Sequence, residues 1–216
     1  MSAWLAEHVK RRVPMFLKRR FWYSRQLGTF VVGDGVTDQT RGAVESAYLD
    51  TLAALEPILK RRPYILGERP VEADFGFFAS MFRHFACDPA PGRIMRTRAP
   101  AVHEWVARMW NVEPQRIAAE PLPSAIPDDL APLLRLVTRD YLPYLDANAK
   151  AFAKSEPHVR YEAAGAKFDE PTKPYRVWCR DRLVDDFAKL DAADRDAVTR
   201  ALGQEGAAQL AAHSPR

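Results

Sequence analysis

The sequence predicts an all-α fold, and three observations favour this prediction. Apolar residues recur at intervals of three and four along most of the chain, which is the spacing of one helix face. Prolines stand where these periodic segments begin or stop, as they do at helix ends. Only residues 156–174 combine apolar residues with a glycine and flanking prolines in a way that permits one short hairpin.

The chain has the composition of a globular protein, with 47% apolar and 28% charged residues among 216. It holds no run of about 18 apolar residues, so we expect no membrane-spanning helix. The segment after Met1 lacks the apolar stretch of a secretion signal. Cys87 and Cys179 stand alone, without metal-ligand spacing, and indicate free thiols in a reducing compartment. We therefore expect a cytoplasmic protein without a metal site.

The net charge of +4 comes mainly from the amino-terminal end of the chain. Residues 1–25 hold seven cations and the single acid Glu7, and the remainder is close to neutral. One basic helix does not make a nucleic-acid-binding face, so no nucleic acid partner is expected.

The first part of the chain is predicted to form helices over residues 4–25, 38–62 and 71–86. Pro14 should kink or break the first of these helices. The third helix is apolar on nearly all sides, so we expect other helices to surround it. The glycine-containing residues 28–36 predict a loop. The inward stripe of the first helix comprises Leu5, Val9, Val13, Phe16 and Tyr23.

A second loop is expected over residues 87–99, before a helix that begins at Pro100. The inward residues of that helix are Val102, Trp105, Val106 and Met109. Residues 111–132 are a proline-rich connector, and another helix over 130–152 is kinked at Pro143.

Two last helices complete the prediction. One carries Cys179 on its apolar face, where a buried and inert thiol is expected. The final helix begins at Asp191 and ends at Gly203. We divide the chain into a helical core, residues 1–112, and a helical extension, residues 113–216, packed on it as one structural unit.

Asp74 stands three residues after Val71, in the segment Gly67-Glu-Arg-Pro-Val-Glu-Ala-Asp. This spacing predicts that the Asp74 carboxylate caps the helix start by accepting from the backbone N–H of Val71. Val71 has no side-chain oxygen, so the reciprocal bond of a full capping box is missing.

The segment from Tyr64 to Met81, followed by Ala99-Pro-Ala-Val-His-Glu-Trp-Val-Ala-Arg, resembles the C-terminal helical domain of glutathione S-transferases. In that family Ser or Thr occupies the cap position where this chain has Val71, and Asp74 matches the acidic member. The later segments Tyr141-Leu-Pro-Tyr-Leu-Asp-Ala-Asn-Ala and Pro174-Tyr-Arg-Val-Trp-Cys are similar to a bacterial branch with extra C-terminal helices. The resemblance covers most of residues 15–200.

The resemblance implies a helical domain that forms the hydrophobic co-substrate side of a glutathione-conjugating enzyme. In the family, glutathione is bound and activated mainly by an N-terminal thioredoxin-like domain. The first 60 residues predict two helices instead, so no catalytic residue is assigned. The partners implied are a hydrophobic small molecule or a thioredoxin-like domain, and a second copy of the chain.

Two other hypotheses stay open. One is a non-catalytic helical module for ligand binding or protein interaction, as when this fold is appended to translation factors and synthetases. The other is a membrane-surface role for the basic first helix, in the manner of mitochondrial outer-membrane relatives.

The candidate binding residues lie on a second face of the first helix. Trp4, Met15 and Trp22 fall along one line, and Arg11, Lys18 and Arg25 lie beside it at seven-residue intervals. In the transferases the corresponding helix borders the substrate pocket and the subunit interface. We interpret this face as a contact surface for a hydrophobic electrophile, an anionic ligand or a thioredoxin-like domain. The alternative is a solvated cationic face whose tryptophans pack under later helices.

Overall fold

A computed structural model describes residues 14–117 and 121–211, and their side chains except at positions 29, 30 and 116. The described residues form two compact units. One, the hairpin unit, comprises the described parts of 1–47, 138–190 and 205–216. The other, the core unit, comprises those of 48–137 together with 191–204. The sequence-based division between residues 112 and 113 falls inside the core unit.

The described part of the chain is mainly helical, with one two-stranded antiparallel sheet, as the sequence predicts. The strands are β1 His158–Ala163 and β2 Ala166–Pro171. The helices are α1 Met15–Arg25, α2 Arg41–Arg61, α3 Glu72–Ser80, α4 Pro89–Arg98, α5 Pro100–Trp110, α6 Ala131–Leu136, α7 Leu142–Ala153, α8 Pro174–Lys189 and α9 Ala192–Ala211.

Helix α5 supplies the centre of the core unit. Pro100 occupies its first turn, where a missing N–H costs nothing. The predicted inward face is confirmed, because Val102, Trp105, Val106 and Met109 are all buried. They share one apolar cluster with Leu55 and Ile58 of α2. Each such side chain contributes about 1.5–3 kcal/mol through burial.

Helix α4 replaces the loop that was predicted over residues 87–99. The prediction was wrong because Pro89, Pro91 and Gly92 look like turn residues, whereas prolines are tolerated in a first helical turn. Met95 of α4 is fully buried in the core cluster. A methyl group at Gly92 would come within 2.7 Å of the carbonyl oxygen of Ala86, so the close approach requires glycine.

Helix α3 continues into a π-helical segment, Met81–Ala86, so the predicted helix over residues 71–86 is present but not regular. Met81 is buried, as expected for a surrounded helix. Phe75 is 50% exposed, so the helix is not surrounded on every side. The ring of Phe78 in α3 stacks on the ring of Phe82 in the π-helical segment, with 5.4 Å between the two centroids.

Residues 28–36, predicted as a loop, mostly continue the helical path of α1. The chain forms a π-helical segment, Gln26–Val31, and a short 3-10 turn, Val32–Asp34. Gly35, with φ of 74°, ends this path. A side chain there would be strained by the positive φ and would also meet the ring of Phe168 at 3.3 Å.

Strands β1 and β2 form the hairpin that the sequence permits. Tyr161 pairs with Phe168, and their rings stack at 5.2 Å between centroids. The two-residue turn consists of Ala164 and Gly165, both with positive φ, which matches the right-handed twist of the strands. Helix α7, which packs against β1 and α8, follows a π-helical segment directly before Pro143. This irregularity lies where the kink was predicted.

Asn148 joins α7 to the start of α8. Its side-chain amide donates to the carbonyl of Lys173 over 3.0 Å and accepts from the N–H of Lys173 over 2.9 Å. Asn148 is fully buried, so these two bonds replace those that water would make.

The final helix begins as predicted but does not end as predicted. The carboxylate of Asp191 accepts from the N–H of Asp194 over 2.8 Å, which caps the helix. Gly203, with φ of 76°, interrupts α9, and helical backbone resumes beyond it to Ala211. Gly203, a glycine at positive φ, therefore interrupts this helix but does not end it.

Candidate functional site

The described residues of the predicted contact face lie on α1. Met15, Lys18, Trp22 and Arg25 are spaced by three or four positions, so they lie on one side of the helix. Arg11 and Trp4 lie outside the described residues. The assignment of this face to a ligand or a partner stays a prediction.

Trp22 and Arg25 form the best-defined pair of this face. The guanidinium of Arg25 lies 5.5 Å from the centre of the indole of Trp22, within the range of a cation–π contact. The ring of Phe21 meets the same indole edge-on at 5.6 Å. Lys18 is buried, whereas Arg25 is exposed. The face is therefore partly covered at Lys18 and open at Arg25.

The sequence predicts that an apolar stripe of the first helix is buried, and this prediction is wrong for the two members that the structure describes. Phe16 is 69% exposed and Tyr23 is 64% exposed, although both were expected to point inward. Cations and apolar residues interleave between Met15 and Arg25, so the helix has no single apolar face to bury. Large apolar side chains consequently reach the surface on several sides of α1, namely Met15, Phe16, Leu17, Phe21 and Tyr23.

Asp74 caps α3 as the sequence predicts, and it also makes two bonds that the sequence does not reveal. One carboxylate oxygen accepts from the N–H of Val71 over 3.0 Å. The other accepts from the N–H of Ile65 and from the indole N–H of Trp105, each over 3.0 Å. Three donors from three segments thus satisfy a fully buried carboxylate.

A cationic cleft of about 500 Å³ lies in the core unit between the end of α2 and one face of α5, from Pro100 to Arg108. Four cations line it, together with one acid, Glu104, and apolar residues that include Leu59. The cations are Lys60, Arg61, Arg62 and Arg108.

Asp129 forms ion pairs with two of these cations, Arg61 and Arg62. Arg62 donates to both of its carboxylate oxygens, over 2.7 and 2.9 Å, and Arg61 donates to one over 2.7 Å. The hydrogen bond from Arg62, followed by that from Arg61, holds the pKa of Asp129 below its ordinary value against the opposing effect of burial. Arg62 also bonds the carbonyl of Ile65, so its guanidinium is fully engaged in structure.

A second cleft, of about 410 Å³, lies in the core unit and is more apolar. The connector contributes Ile126 and Pro127, α6 contributes Leu134, and α9 contributes two alanines, Ala197 and Ala201. Arg200 and Asp128 supply the charged groups of its lining. A space of this size and lining suits a small apolar molecule.

The hairpin unit contains a polar network around Glu170, which is itself buried. The carboxylate accepts from the hydroxyl of Tyr161 over 2.7 Å and from the ammonium of Lys173 over 2.8 Å. Lys173 also reaches Asp34 over 3.0 Å. Burial, followed by the bond to Glu170, raises the pKa of Tyr161, so its hydroxyl stays protonated at neutral pH. Every member is bonded to another, which is the pattern of a structural network.

Among the described residues, the cysteines and the possible metal ligands give no further candidate site. Cys87 is exposed and Cys179 is partly buried, so the expected full burial of Cys179 is not met. Within the described ranges, no group of three or more His, Cys, Asp or Glu side chains could hold a metal ion. Nor does any described helix have the length and apolarity needed to cross a membrane.

The sequence interpretation missed both clefts, for a physical reason. Three consecutive cations at the end of a helix, Lys60, Arg61 and Arg62, are explained locally by their favourable interaction with the helix C-terminus, and that explanation gives no reason to look for Arg108 or Asp129 beside them. Arg108 is distant along the chain and meets them only after folding. The one local signal was the density of three consecutive cations.

Comparison with known proteins identifies one part of the chain. Residues 27–113 match the family model of the glutathione S-transferase C-terminal domain. No curated protein and no solved structure matches the chain. The matched residues include α2 to α5 and the segment from Tyr64 to Met81, on which the resemblance rests, whereas the similar segments after Tyr141 and Pro174 lie outside the match. Residues 27–113 are therefore similar to the C-terminal helical domain of glutathione S-transferases.

Proposed function

We propose that this chain supplies the helical side of a glutathione-conjugating enzyme, the side that holds the hydrophobic co-substrate. The family match over residues 27–113 is the observation that carries the proposal. Glutathione is the thiol substrate that the family implies, and a thioredoxin-like domain would bind and activate it. The described residues of this chain then contribute binding and orientation of the electrophile and not the activation of sulfur.

Helix α1 is the element that we propose for contact with the electrophile. Its exposed aromatic and aliphatic side chains give an apolar surface, and Arg25 holds a positive charge against the indole of Trp22. A flat aromatic electrophile can pack against such a surface, and the cation favours an anionic conjugate.

A dye-binding experiment tests this contact surface. Anilinonaphthalene sulfonate is an apolar anion whose fluorescence rises when it enters an apolar site, and chlorodinitrobenzene serves as a competing electrophile. We expect Trp22→Ala to weaken dye binding several-fold, because it removes the largest ring of the face. The matched control is Trp178→Ala, which removes an exposed tryptophan from α8. Equal binding by the two variants would remove α1 from the proposal.

The second candidate is a non-catalytic ligand-binding module, and the apolar cleft favours it. That cleft is lined entirely by described residues of the core unit and needs no other domain to form. The variant Ala201→Phe should fill it. Loss of dye binding in Ala201→Phe together with unchanged binding in Trp22→Ala would support the module over the conjugating enzyme.

We also propose that the chain forms a homodimer and acts in the cytoplasm, as the family resemblance suggests. The exposed apolar side chains of α1 would support self-association, because large exposed apolar patches often mark interfaces. Sedimentation equilibrium would test the dimer, and a monomer at micromolar concentration would refute it.

A further inference from the structure

The cationic cleft between α2 and α5 is outside the surface that the proposed function uses. Its volume of about 500 Å³ falls in the range of small-molecule sites. Lys60 and Arg61 have side chains that are 62% and 57% exposed, so they can reach a ligand from the rim. Arg108 bonds the carbonyl of Pro63 over 2.7 Å, which holds its guanidinium at the cleft wall.

The carboxylates around this cleft are placed unevenly. Glu56 and Asp129 pair with Lys60, Arg61 and Arg62 but do not line the cleft. Glu104 is the one acid among the lining residues. The paired carboxylates therefore hold the cations in position, while the open side of the cleft stays mainly positive.

The start of α5 adds donors to the same cleft. Pro100 has no amide hydrogen, so the N–H of Ala101 is the outermost backbone donor of the helix, and both residues line the cleft. The next amide, that of Val102, already donates to a carboxylate oxygen of Glu56 over 3.2 Å. This helix end thus accommodates an anionic oxygen, as the helix dipole favours.

We propose that this cleft binds a phosphorylated small molecule. The guanidinium of Arg61 and the ammonium of Lys60 bind the phosphate oxygens, and further donors come from the first turn of α5 and from Arg108 in its last turn. Leu59 and the two prolines, Pro63 and Pro100, pack against the organic part of the ligand. Guanidinium groups and helix N-termini are the usual phosphate-binding elements of proteins.

Calorimetric titration with inorganic pyrophosphate tests the proposal on the full chain. We expect the double variant Lys60→Gln/Arg61→Gln to bind pyrophosphate at least about tenfold more weakly, because two charge-assisted contacts are lost. The control Lys150→Gln/Arg182→Gln removes the same charge from exposed ion pairs of the hairpin unit. Its affinity should equal that of the unmodified chain.

A variant that binds pyrophosphate more tightly provides a further test, because misfolding would weaken binding. Glu104→Gln removes the one carboxylate of the lining, and we expect pyrophosphate to bind about two- to fivefold more tightly. Unfolding midpoints of all variants show whether each is folded. Equal weakening in both double variants, no effect of Glu104→Gln, or citrate binding more tightly than pyrophosphate would each overturn the proposal.

Discussion

The indole N–H of Trp105 donates a hydrogen bond to a carboxylate oxygen of Asp74 over 3.0 Å, and both side chains are fully buried. This bond joins the centre of α5 to the start of α3. The same carboxylate orders the preceding loop through Ile65 and Val71. Asp74 is therefore both a helix cap and an anchor between helices.

Replacing Asp74 should destabilise the fold strongly. Asp74→Ala leaves three donors without an acceptor, two of them in fully buried surroundings, so we expect a loss of about 3–5 kcal/mol in the free energy of unfolding. Urea denaturation followed by circular dichroism measures it. Trp105→Phe removes one donor and should cost less, about 1–3 kcal/mol. The control Asp38→Ala removes an exposed acid, and a loss as large as that of Asp74→Ala would contradict the explanation.

Val71 offers the converse experiment, a gain in stability. Its backbone already has the extended conformation of a helix N-cap, with φ of −127° and ψ of 174°, but its side chain cannot accept a hydrogen bond. Val71→Thr supplies a hydroxyl of similar shape and should stabilise the chain by about 0.5–1 kcal/mol. A decrease in the urea midpoint would show that the cap position tolerates no hydroxyl there.

The sequence predicted the regular elements well where one helix face is apolar. The inward residues of α5 and the start of the last helix at Asp191 are examples, because periodicity and helix-start signals are local properties. The prediction failed at α4, where proline and glycine in a first turn resembled a loop. It also failed for Phe16, because charged and apolar residues alternate along α1, so that no face of this helix is apolar enough to be predicted as buried.

The candidate sites were harder to predict than the fold. The cap role of Asp74 followed from its spacing to Val71, but its bond to Trp105 joins residues far apart in sequence. The cationic cleft likewise depends on Arg108 meeting the end of α2. Such contacts arise from tertiary packing, which one sequence without aligned relatives does not specify.

Glu56 provides a further test of contacts between helices. Ala99, the N-cap of α5, has no capping side chain, and Glu56 of α2 accepts instead from the backbone N–H of Val102, the third residue of α5. We expect Glu56→Ala to cost about 1–2 kcal/mol in the free energy of unfolding, as loss of an N-cap does. Glu56→Gln keeps an oxygen for Val102 and should cost less. Glu45→Ala, an exposed change in the same helix, should have an effect within about 0.5 kcal/mol, and an equal loss there would refute the capping role.

The ion pairs of Asp129 predict how stability depends on pH. Its pKa is lowered in the folded chain, first by the hydrogen bond from Arg62, so its contribution is fully present above the unfolded-state value of about 3.9. The contribution is lost as the pH falls through the lower folded-state pKa. The difference in unfolding free energy between the unmodified chain and Asp129→Asn should therefore shrink as the pH falls below about 4. A difference that grows on acidification would have the wrong sign for this account.

The rate of glutathione conjugation by this chain alone tests the central claim most directly. The claim is that these helices bind the electrophile and that a thioredoxin-like domain activates the thiol. With chlorodinitrobenzene and glutathione, we expect the chain to bind the dye yet conjugate no faster than buffer, at every protein concentration. A conjugation rate that rises in proportion to the concentration of the chain would contradict the claim.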